Sequence, residues 1–113
     1  MSASRAVTLW LPVVAWAALI FVLSAQPDLS TGLGTWDLVL RKLAHLAEYA
    51  ILGALLLRAV VERVPALVAG VAYAVSDEIH QTFVAGRQGS VLDVLIDSAG
   101  VVIGILVLER ASR

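Results

Sequence analysis

The sequence predicts an all-α fold, an integral membrane four-helix bundle. Its composition is the first observation behind this prediction: 60% of the 113 residues are hydrophobic and only 15% are charged, and the mean hydropathy is +0.92. A soluble domain this small needs a polar surface and typically carries about 25% charged residues. The second observation is that four apolar segments, separated by charged or turn-forming residues, have helix-like lengths.

The first helix is predicted over residues 7–25, an uncharged apolar run. Its length is close to the about 20 residues that a membrane-spanning helix needs. Pro12 lies in the first turns of this predicted helix, where a proline is better tolerated than deeper in the helix. A cleaved signal peptide is the alternative, because Arg5 precedes the run and the small residues Ser24-Ala25 end it. The run is longer than the about 7–15 apolar residues of a typical signal peptide, which favours the spanning helix.

The remaining helices complete a single predicted domain over residues 1–113. A proline, two glycines and several turn-forming residues predict a loop over residues 26–40, with a short amphipathic piece near Trp36–Leu40. A second glycine-containing loop is predicted at residues 85–89. Gly100 and Gly104 form a small-xxx-small pair that lets the last helix pack closely. The predicted helices after the first span residues 41–61, 65–84 and 91–108.

The distribution of basic residues predicts that both termini lie in the cytoplasm. With four helices the two termini share one side of the membrane, and an excess of Lys and Arg in short flanks marks the cytoplasmic side. The other side carries Arg41, Lys42 and Arg87. We therefore expect a multi-pass protein of the cell membrane. The side of the termini carries five arginines, namely Arg5, Arg58, Arg63, Arg110 and Arg113.

Three of the predicted helices carry a polar stripe at the same level, on the outer side of the membrane. At about 100° per residue, the stripe of each helix falls within an arc of about 120° or less, with Glu78 just beside its stripe. Intramembrane ionisable residues face the bundle interior or a water-filled cavity, and they mark a functional site by default. We therefore predict an outward-facing polar pocket. Its candidate residues are Lys42, His45, Glu48, Tyr49, Asp77, Glu78, His80, Gln81, Arg87, Asp93 and Asp97.

The stripes and their adjoining loop hold more carboxylates than fixed cations. If His45 and His80 are neutral, two carboxylates remain after pairing with the three fixed cations. These two must be protonated, paired with a histidinium or bound to a cation. The groups counted are the carboxylates Glu48, Asp77, Glu78, Asp93 and Asp97 and the cations Arg41, Lys42 and Arg87.

One hypothesis for this pocket is a membrane-embedded, metal-dependent enzyme that acts on an anionic lipid head group. His45 would be a base, and Lys42 and Arg87 would hold the head group. A divalent cation, Mg²⁺ or Mn²⁺, would be the cofactor, because these ions prefer oxygen ligands. The spacing spells out no known metal motif, and the chain has no cysteine for thiolate ligands. The metal candidates are Asp77, Asp93 and Asp97.

Three other hypotheses stay open at this stage. The pocket can belong to a binding protein that recognises a lipid-linked or cell-wall head group. It can be a structural network that locks the helices through interhelical hydrogen bonds, without a ligand. A proton-coupled conduit is disfavoured, because the inner half offers no ionisable relay beyond Arg58. Nucleic acid is not an expected partner, because the net charge is -1.

The ordered motifs of this chain resemble the VanZ-like family of small bacterial membrane proteins. R-K-x-x-H-x-x-x-Y at 41–49 is followed by S-D-E-x-x-Q at 76–81, and S-A-Q-P at 24–27 ends the first helix. Asp97 stands where the family often has Asn, which adds a negative charge and favours cation binding. The resemblance covers essentially the whole chain. The residues that match the family pattern are Lys42, His45, Tyr49, Asp77, Glu78, Gln81, Arg87 and Asp93, with a glycine at 100.

The resemblance implies a polytopic helical protein of the bacterial inner membrane, within the cell envelope. Through the founding member it also implies a link to resistance to the glycopeptide teicoplanin. We therefore expect a VanZ-like membrane protein whose partners are the lipid bilayer and a lipid-linked or cell-wall component.

Overall fold

The computed structural model describes residues 2–24, 35–84 and 90–112. Within these ranges the chain forms four α-helices and no strand, which confirms the predicted all-α helical bundle. The molecule is 47 Å long, close to the about 40–45 Å thickness of a bilayer with its head groups. The helices are α1 (Ala3–Ser24), α2 (Thr35–Val60), α3 (Arg63–Gln81) and α4 (Val91–Ala111).

Three of these helices are long and apolar enough to cross a membrane, namely α1, the Val39–Val60 segment of α2, and α4. Large apolar side chains stay exposed along them, including Val14 and Leu11 on α1 and Val107 on α4. An apolar surface of this extent suits contact with lipid. The helix α3 is less apolar, because its last turns carry Asp77, Glu78 and other polar residues. These features fit a multi-pass membrane protein.

The first two helices begin earlier than the sequence predicted. Because α1 begins at Ala3, Pro12 lies in the helix interior and not in its first turns. The prediction of a loop over residues 26–40 is wrong at its end, because α2 begins at Thr35. The last turn-forming glycine is Gly34, so the chain that follows is free to be helical. The piece near Trp36–Leu40 is therefore the start of α2.

The other two helices differ from prediction at their C-terminal ends. The prediction that the third helix reaches residue 84 is wrong, because α3 ends at Gln81. The amides of Thr82, Phe83 and Val84 bond to carbonyls three residues back, which tightens the chain into a turn. The fourth helix continues past the predicted residue 108 to Ala111.

The four helices run alternately up and down. Contacts between α1 and α3, such as the hydrogen bond from the Tyr73 hydroxyl to the Ala17 carbonyl, show that these two helices share a direction. The helices α2 and α4 also run parallel to each other and form the most extensive interface. In the described ranges, α1 packs on α2 and α3 but not on α4. The ends of α1 and α3 therefore meet the starts of α2 and α4.

Three glycines bring the backbones of α2 and α4 into close contact. A Cβ atom on Gly104 would lie 1.8 Å from the Ala50 carbonyl oxygen, and one on Gly53 would lie 2.4 Å from that of Val101. A Cβ on Gly100 would meet the Leu46 carbonyl oxygen at 2.5 Å. The close packing predicted for Gly100 and Gly104 is thus present, and Gly53 contributes to it from the opposite helix. This interface sets the register of the polar residues on α2 and α4.

Candidate functional site

Polar side chains gather at one end of the bundle, where α1 and α3 end and α2 and α4 begin. Five of them are buried, although several are ionisable: Ser24, Asp77, Glu78, Gln81 and Asp97. Asp97 lies about 9 Å along α4 from its first residue, at a rise of about 1.5 Å per residue. We call this cluster the polar end of the bundle. It comprises Ser24, Lys42, His45, Tyr49, Asp77, Glu78, Gln81, Asp93 and Asp97.

Two contacts between a basic and an acidic side chain connect α2 to α4 at the polar end. Lys42 Nζ contacts the Asp93 carboxylate, near the start of α4. One turn further along both helices, His45 Nδ1 lies 3.3 Å from Asp97 Oδ1, and the Asp97 side chain is fully buried. The spacing of three residues on α2 and four on α4 places both pairs on facing surfaces, because residues three or four apart share a helix face.

Asp77 connects three helices. Its Oδ2 accepts hydrogen bonds from the Tyr49 hydroxyl of α2 at 2.8 Å and from the Ser24 hydroxyl of α1 at 2.9 Å. Tyr49 and Ser24 are both buried. A buried hydroxyl without a hydrogen-bond acceptor destabilises the fold. The carboxyl group of Asp77 avoids this for two hydroxyl groups at once.

Glu78 lies next to Asp77 in sequence but faces α4. Its Oε1 accepts a hydrogen bond from the backbone amide of Ser90, the residue that caps the start of α4. His80 points the other way, and its ring stacks on Phe21 of α1 with centroids 4.1 Å apart. The two side chains therefore diverge, as expected for residues two apart on a helix.

Several buried polar atoms of this cluster have no hydrogen-bond partner among the described residues. They include Asp77 Oδ1, Glu78 Oε2, Gln81 Nε2 and both carboxylate oxygens of Asp97, since the contact with His45 is within ion-pair distance but not aligned as a hydrogen bond. Buried polar groups are normally paired with protein or ordered water. The polar end therefore retains capacity for water, a proton or a polar ligand group.

A cavity of about 120 Å³ lies between α1 and α2 at the polar end. Charged side chains form part of its wall, and apolar side chains form the rest. Two of its lining residues are also partners of buried carboxylates, since Ser24 contacts Asp77 and His45 contacts Asp97. The cavity thus leads toward the buried network. Its lining residues are Leu23, Ser24, Arg41, Ala44, His45 and Glu48.

The structure brings together most of the residues that the sequence singled out. Glu48 lines the cavity, and its backbone carbonyl accepts a hydrogen bond from Trp16 Nε1 at 2.8 Å. His80 lies beside the cluster, against Phe21. Arg87 lies outside the described residues, so its place in the pocket stays a prediction. The members that meet in the cluster are Lys42, His45, Tyr49, Asp77, Glu78, Gln81, Asp93 and Asp97.

The predicted metal ligands Asp77, Asp93 and Asp97 do not converge on one point. Over residues 2–24, 35–84 and 90–112, no group of three or more His, Cys, Asp or Glu side chains is placed to hold a metal ion. The reason is that each aspartate has its own partner: Asp77 binds hydroxyl groups, Asp93 binds an ammonium group, and Asp97 contacts an imidazole. The described residues therefore give no support to a divalent cation at these aspartates.

The contribution of α1 to the polar end was not predicted from the sequence. Ser24 supplies a hydrogen bond to Asp77, Phe21 stacks on His80, and Trp16 bonds to α2. Among these, Ser24 offered the clearest signal, because it ends an apolar helix at the level where the other three helices become polar. A single serine is a weak signal, since serine is common at helix ends.

A protein-family model described as VanZ/LLP1 matches residues 5–111. The chain belongs to the VanZ/LLP1 family. The match covers nearly the whole chain and confirms the resemblance carried by the motifs at 41–49 and 76–81. In this VanZ/LLP1 protein, both motifs contribute side chains to the polar end. No curated protein and no solved structure matches the chain significantly.

Proposed function

We propose that this VanZ/LLP1 protein binds the head group of a lipid-linked or cell-wall component in the outer leaflet of the bacterial cell membrane. The observation that carries the proposal is the cavity between α1 and α2. Charged residues of α2 and the apolar Leu23 and Ala44 share its lining, and Ser24 and His45 connect it to buried carboxylates. An amphipathic ligand would find matching surfaces at such a site.

The size of the cavity indicates which part of the ligand it would hold. A cavity of about 120 Å³ is large enough for water or for a small polar group. A phosphate or an ammonium group fits this volume, whereas pockets for drug-sized molecules typically measure about 300–1,000 Å³. Arg41 would contact a phosphate oxygen, and Glu48 or the carboxylates behind His45 would contact an amine. The rest of the head group would lie outside the cavity.

The proposed orientation follows from the charges at the opposite end of the bundle. Arg58, Arg63 and Arg110 lie there, together with Arg5 at the start of α1. An excess of arginine marks the cytoplasmic side, so the polar end would face the outer side. We propose one transmembrane domain over residues 1–113 with both termini in the cytoplasm. A protein that holds a cell-wall component there would change susceptibility to glycopeptides such as teicoplanin.

A second candidate function is acid–base catalysis on the bound head group. The observation that favours it is the contact between His45 and the fully buried Asp97. The Asp97 carboxylate lies beside Nδ1, which leaves Nε2 for proton transfer, and His45 also lines the cavity. This candidate predicts turnover of a lipid, whereas the binding function predicts a stable complex.

Native mass spectrometry of the purified protein, expressed in bacteria, tests the proposed binding. We expect a lipid that copurifies with the parent protein and is at least about tenfold less abundant on His45→Gln. His80→Gln is the matched control: it changes the other histidine at the same end, which stacks on Phe21 and does not line the cavity. Equal lipid occupancy in all three proteins, with helix content preserved, would refute binding at this cavity.

The same preparation separates the two candidate functions. The copurifying lipid is added back to delipidated protein, and its mass is followed over hours. A constant mass supports binding alone, and a His45-dependent change of mass supports catalysis. Teicoplanin susceptibility of cells that express the parent or the His45→Gln protein then tests the link to the cell wall.

A further inference from the structure

We propose that the end of the bundle opposite the polar end carries a second lipid site, which takes the head group of an anionic phospholipid of the cytoplasmic leaflet. This inference rests on the proposed orientation of the bundle in the membrane, but it is independent of the ligand proposed for the polar end. It starts from a cavity of about 490 Å³ where α2 and α4 end. That volume lies within the range of about 300–1,000 Å³ that is usual for ligand sites. The cavity is lined by Leu57, Arg58, Val61, Leu108, Glu109 and Ser112.

Arg58 supplies a positive charge that the described residues do not neutralise. Glu109 is the carboxylate in the described lining, and Arg63 already engages it through two hydrogen bonds of 3.0 Å. Arg58 is exposed and has no ion pair or hydrogen bond to its side chain among the described residues. A guanidinium group binds a phosphate through two parallel hydrogen bonds, which makes it well suited to a phospholipid head group.

The remaining lining suits the glycerol and upper acyl parts of a lipid. Leu57 is buried at the inner side of the cavity, and Leu108 is partly buried. Val61 is 76% exposed at the rim, although it is apolar. A lipid that places its phosphate on Arg58 would bring its glycerol backbone against these three side chains. The cavity combines Arg58, a cation without a partner in the part of the chain that the structure describes, with an apolar wall, and this distinguishes it from a solvated charged surface.

Val61 also has an unusual backbone conformation. Its φ angle is 71°, and it is the one residue other than glycine in the described ranges with a positive φ. This conformation is rare for a β-branched side chain, and such strain is often found at ligand clamps. Here it holds the Val61 side chain at the rim of the cavity, between the end of α2 and the start of α3.

The charge balance at this end selects an anionic lipid over a zwitterionic one. Among the described residues, this end carries four arginines and two glutamates, namely Arg5, Arg58, Arg63 and Arg110, and Glu62 and Glu109. The cytoplasmic leaflet holds anionic lipids, and basic pockets between membrane helices on that side bind their head groups. A phosphatidylglycerol head group would complement the excess positive charge, whereas phosphatidylcholine carries its own cation.

The test is a lipid titration of the full-length protein in detergent, followed by native mass spectrometry. Phosphatidylglycerol and phosphatidylcholine with the same acyl chains are the probes. We expect the parent protein to bind phosphatidylglycerol about tenfold more tightly, and Arg58→Gln to lose that preference. Arg110→Gln is the matched control, because it removes the same charge from the same end without altering the described lining of the cavity. It should keep most of the preference.

A second variant tests the cavity without changing the charge. Ser112→Trp places a bulky side chain at an exposed lining position near the helix end, where the fold tolerates it. We expect it to weaken phosphatidylglycerol binding with Arg58 intact. Equal binding of the two lipids by the parent protein would overturn the proposal. The proposal would also be overturned if Arg58→Gln and Arg110→Gln lost the preference for phosphatidylglycerol equally. Undiminished phosphatidylglycerol binding in both Arg58→Gln and Ser112→Trp would overturn it as well. His45→Gln should leave the preference unchanged, which separates this site from the cavity at the polar end.

Discussion

The two ends of the bundle both hold acidic and basic side chains, but they hold them in different environments. At the polar end, Asp77, Glu78 and Asp97 are buried between helices. At the opposite end, the ion pair of Arg63 and Glu109 lies on the surface, where the Arg63 side chain is 58% exposed. Similar residue types therefore serve different purposes, and the difference lies in their access to solvent.

This difference determines how strongly each end depends on its partners. If its partner is removed, a buried carboxylate remains without water and without a compensating interaction. An exposed group is hydrated by water instead. At the polar end, each buried carboxyl group therefore constrains the positions of neighbouring helices. At the opposite end, side chains can rearrange around a ligand with little effect on the fold. The first arrangement suits a preorganised site, and the second suits an adaptable contact with lipid head groups.

The largest expected effect comes from removing the carboxyl group that connects three helices. Asp77→Ala leaves the buried hydroxyls of Tyr49 and Ser24 without their acceptor. At about 1–3 kcal/mol for each of the two unsatisfied groups, we expect the free energy of unfolding to fall by about 2–6 kcal/mol. Unfolding in mixed detergent and SDS micelles measures it. Tyr49→Phe should cost less, because it removes the hydroxyl group itself and therefore leaves no buried donor without an acceptor at that residue. If the Asp77→Ala protein were as stable as the parent, the hydrogen bonds of Asp77 would not stabilise the packing of the three helices.

An intermediate effect is expected from double-mutant cycles on the ion pairs at the two ends. Each cycle replaces Lys42 and Asp93, or Arg63 and Glu109, by alanine, singly and together. The coupling at the polar end should be the larger, because the side chains of Lys42 and Asp93 are 29% and 16% exposed and solvent screens such a pair less. Raising the salt concentration should abolish the coupling of Arg63 to Glu109 first. Equal couplings with equal salt dependence would show that the two ends do not differ in this respect.

The smallest expected effect is a gain in stability at the opposite end. Val61 has a φ of 71°, which costs an L-residue about 1–2 kcal/mol and costs glycine little. Glycine loses more entropy on folding, by about 0.5–1 kcal/mol, so Val61→Gly should stabilise the bundle by up to about 1 kcal/mol. Val64→Gly is the control, since Val64 is similarly exposed but helical, and it should destabilise by about 0.3–0.5 kcal/mol. Destabilisation by both changes would show that Val61 is not strained.

Much of the fold followed from local patterns. The apolar runs predicted four helices, and the angular positions of polar residues predicted which side chains face the bundle interior. His45, Asp77 and Asp97 were found in this way, because helical geometry fixes their direction relative to their own helix. The helix ends were less predictable. Whether α3 stops at Gln81 or continues to Val84 depends on a small difference between two hydrogen-bond patterns, and neighbouring structure decides it.

These patterns did not predict which side chains pair with each other. The sequence placed Asp77, Asp93 and Asp97 at one level and allowed them a shared cation. The tertiary structure gives each of them a different partner on α2: Tyr49 for Asp77, Lys42 for Asp93 and His45 for Asp97. Helix rotation and the spacing between helices make this choice, and both depend on the contacts of Gly53, Gly100 and Gly104. The contacts of α1 with the polar end were not predicted either, because they come from isolated residues in an apolar helix.

The sequence by itself determined that this chain is a helical membrane protein of the VanZ/LLP1 family, with a polar stripe on each of three helices near the same end of the bundle. It could do so because hydrophobicity and helical period are local properties, written in residues close together along the chain. Only the tertiary structure decided which groups are paired, which buried oxygens have no partner among the described residues, and where cavities remain. These depend on distances between helices that a one-residue change in register would alter, so they arise from packing and not from pattern.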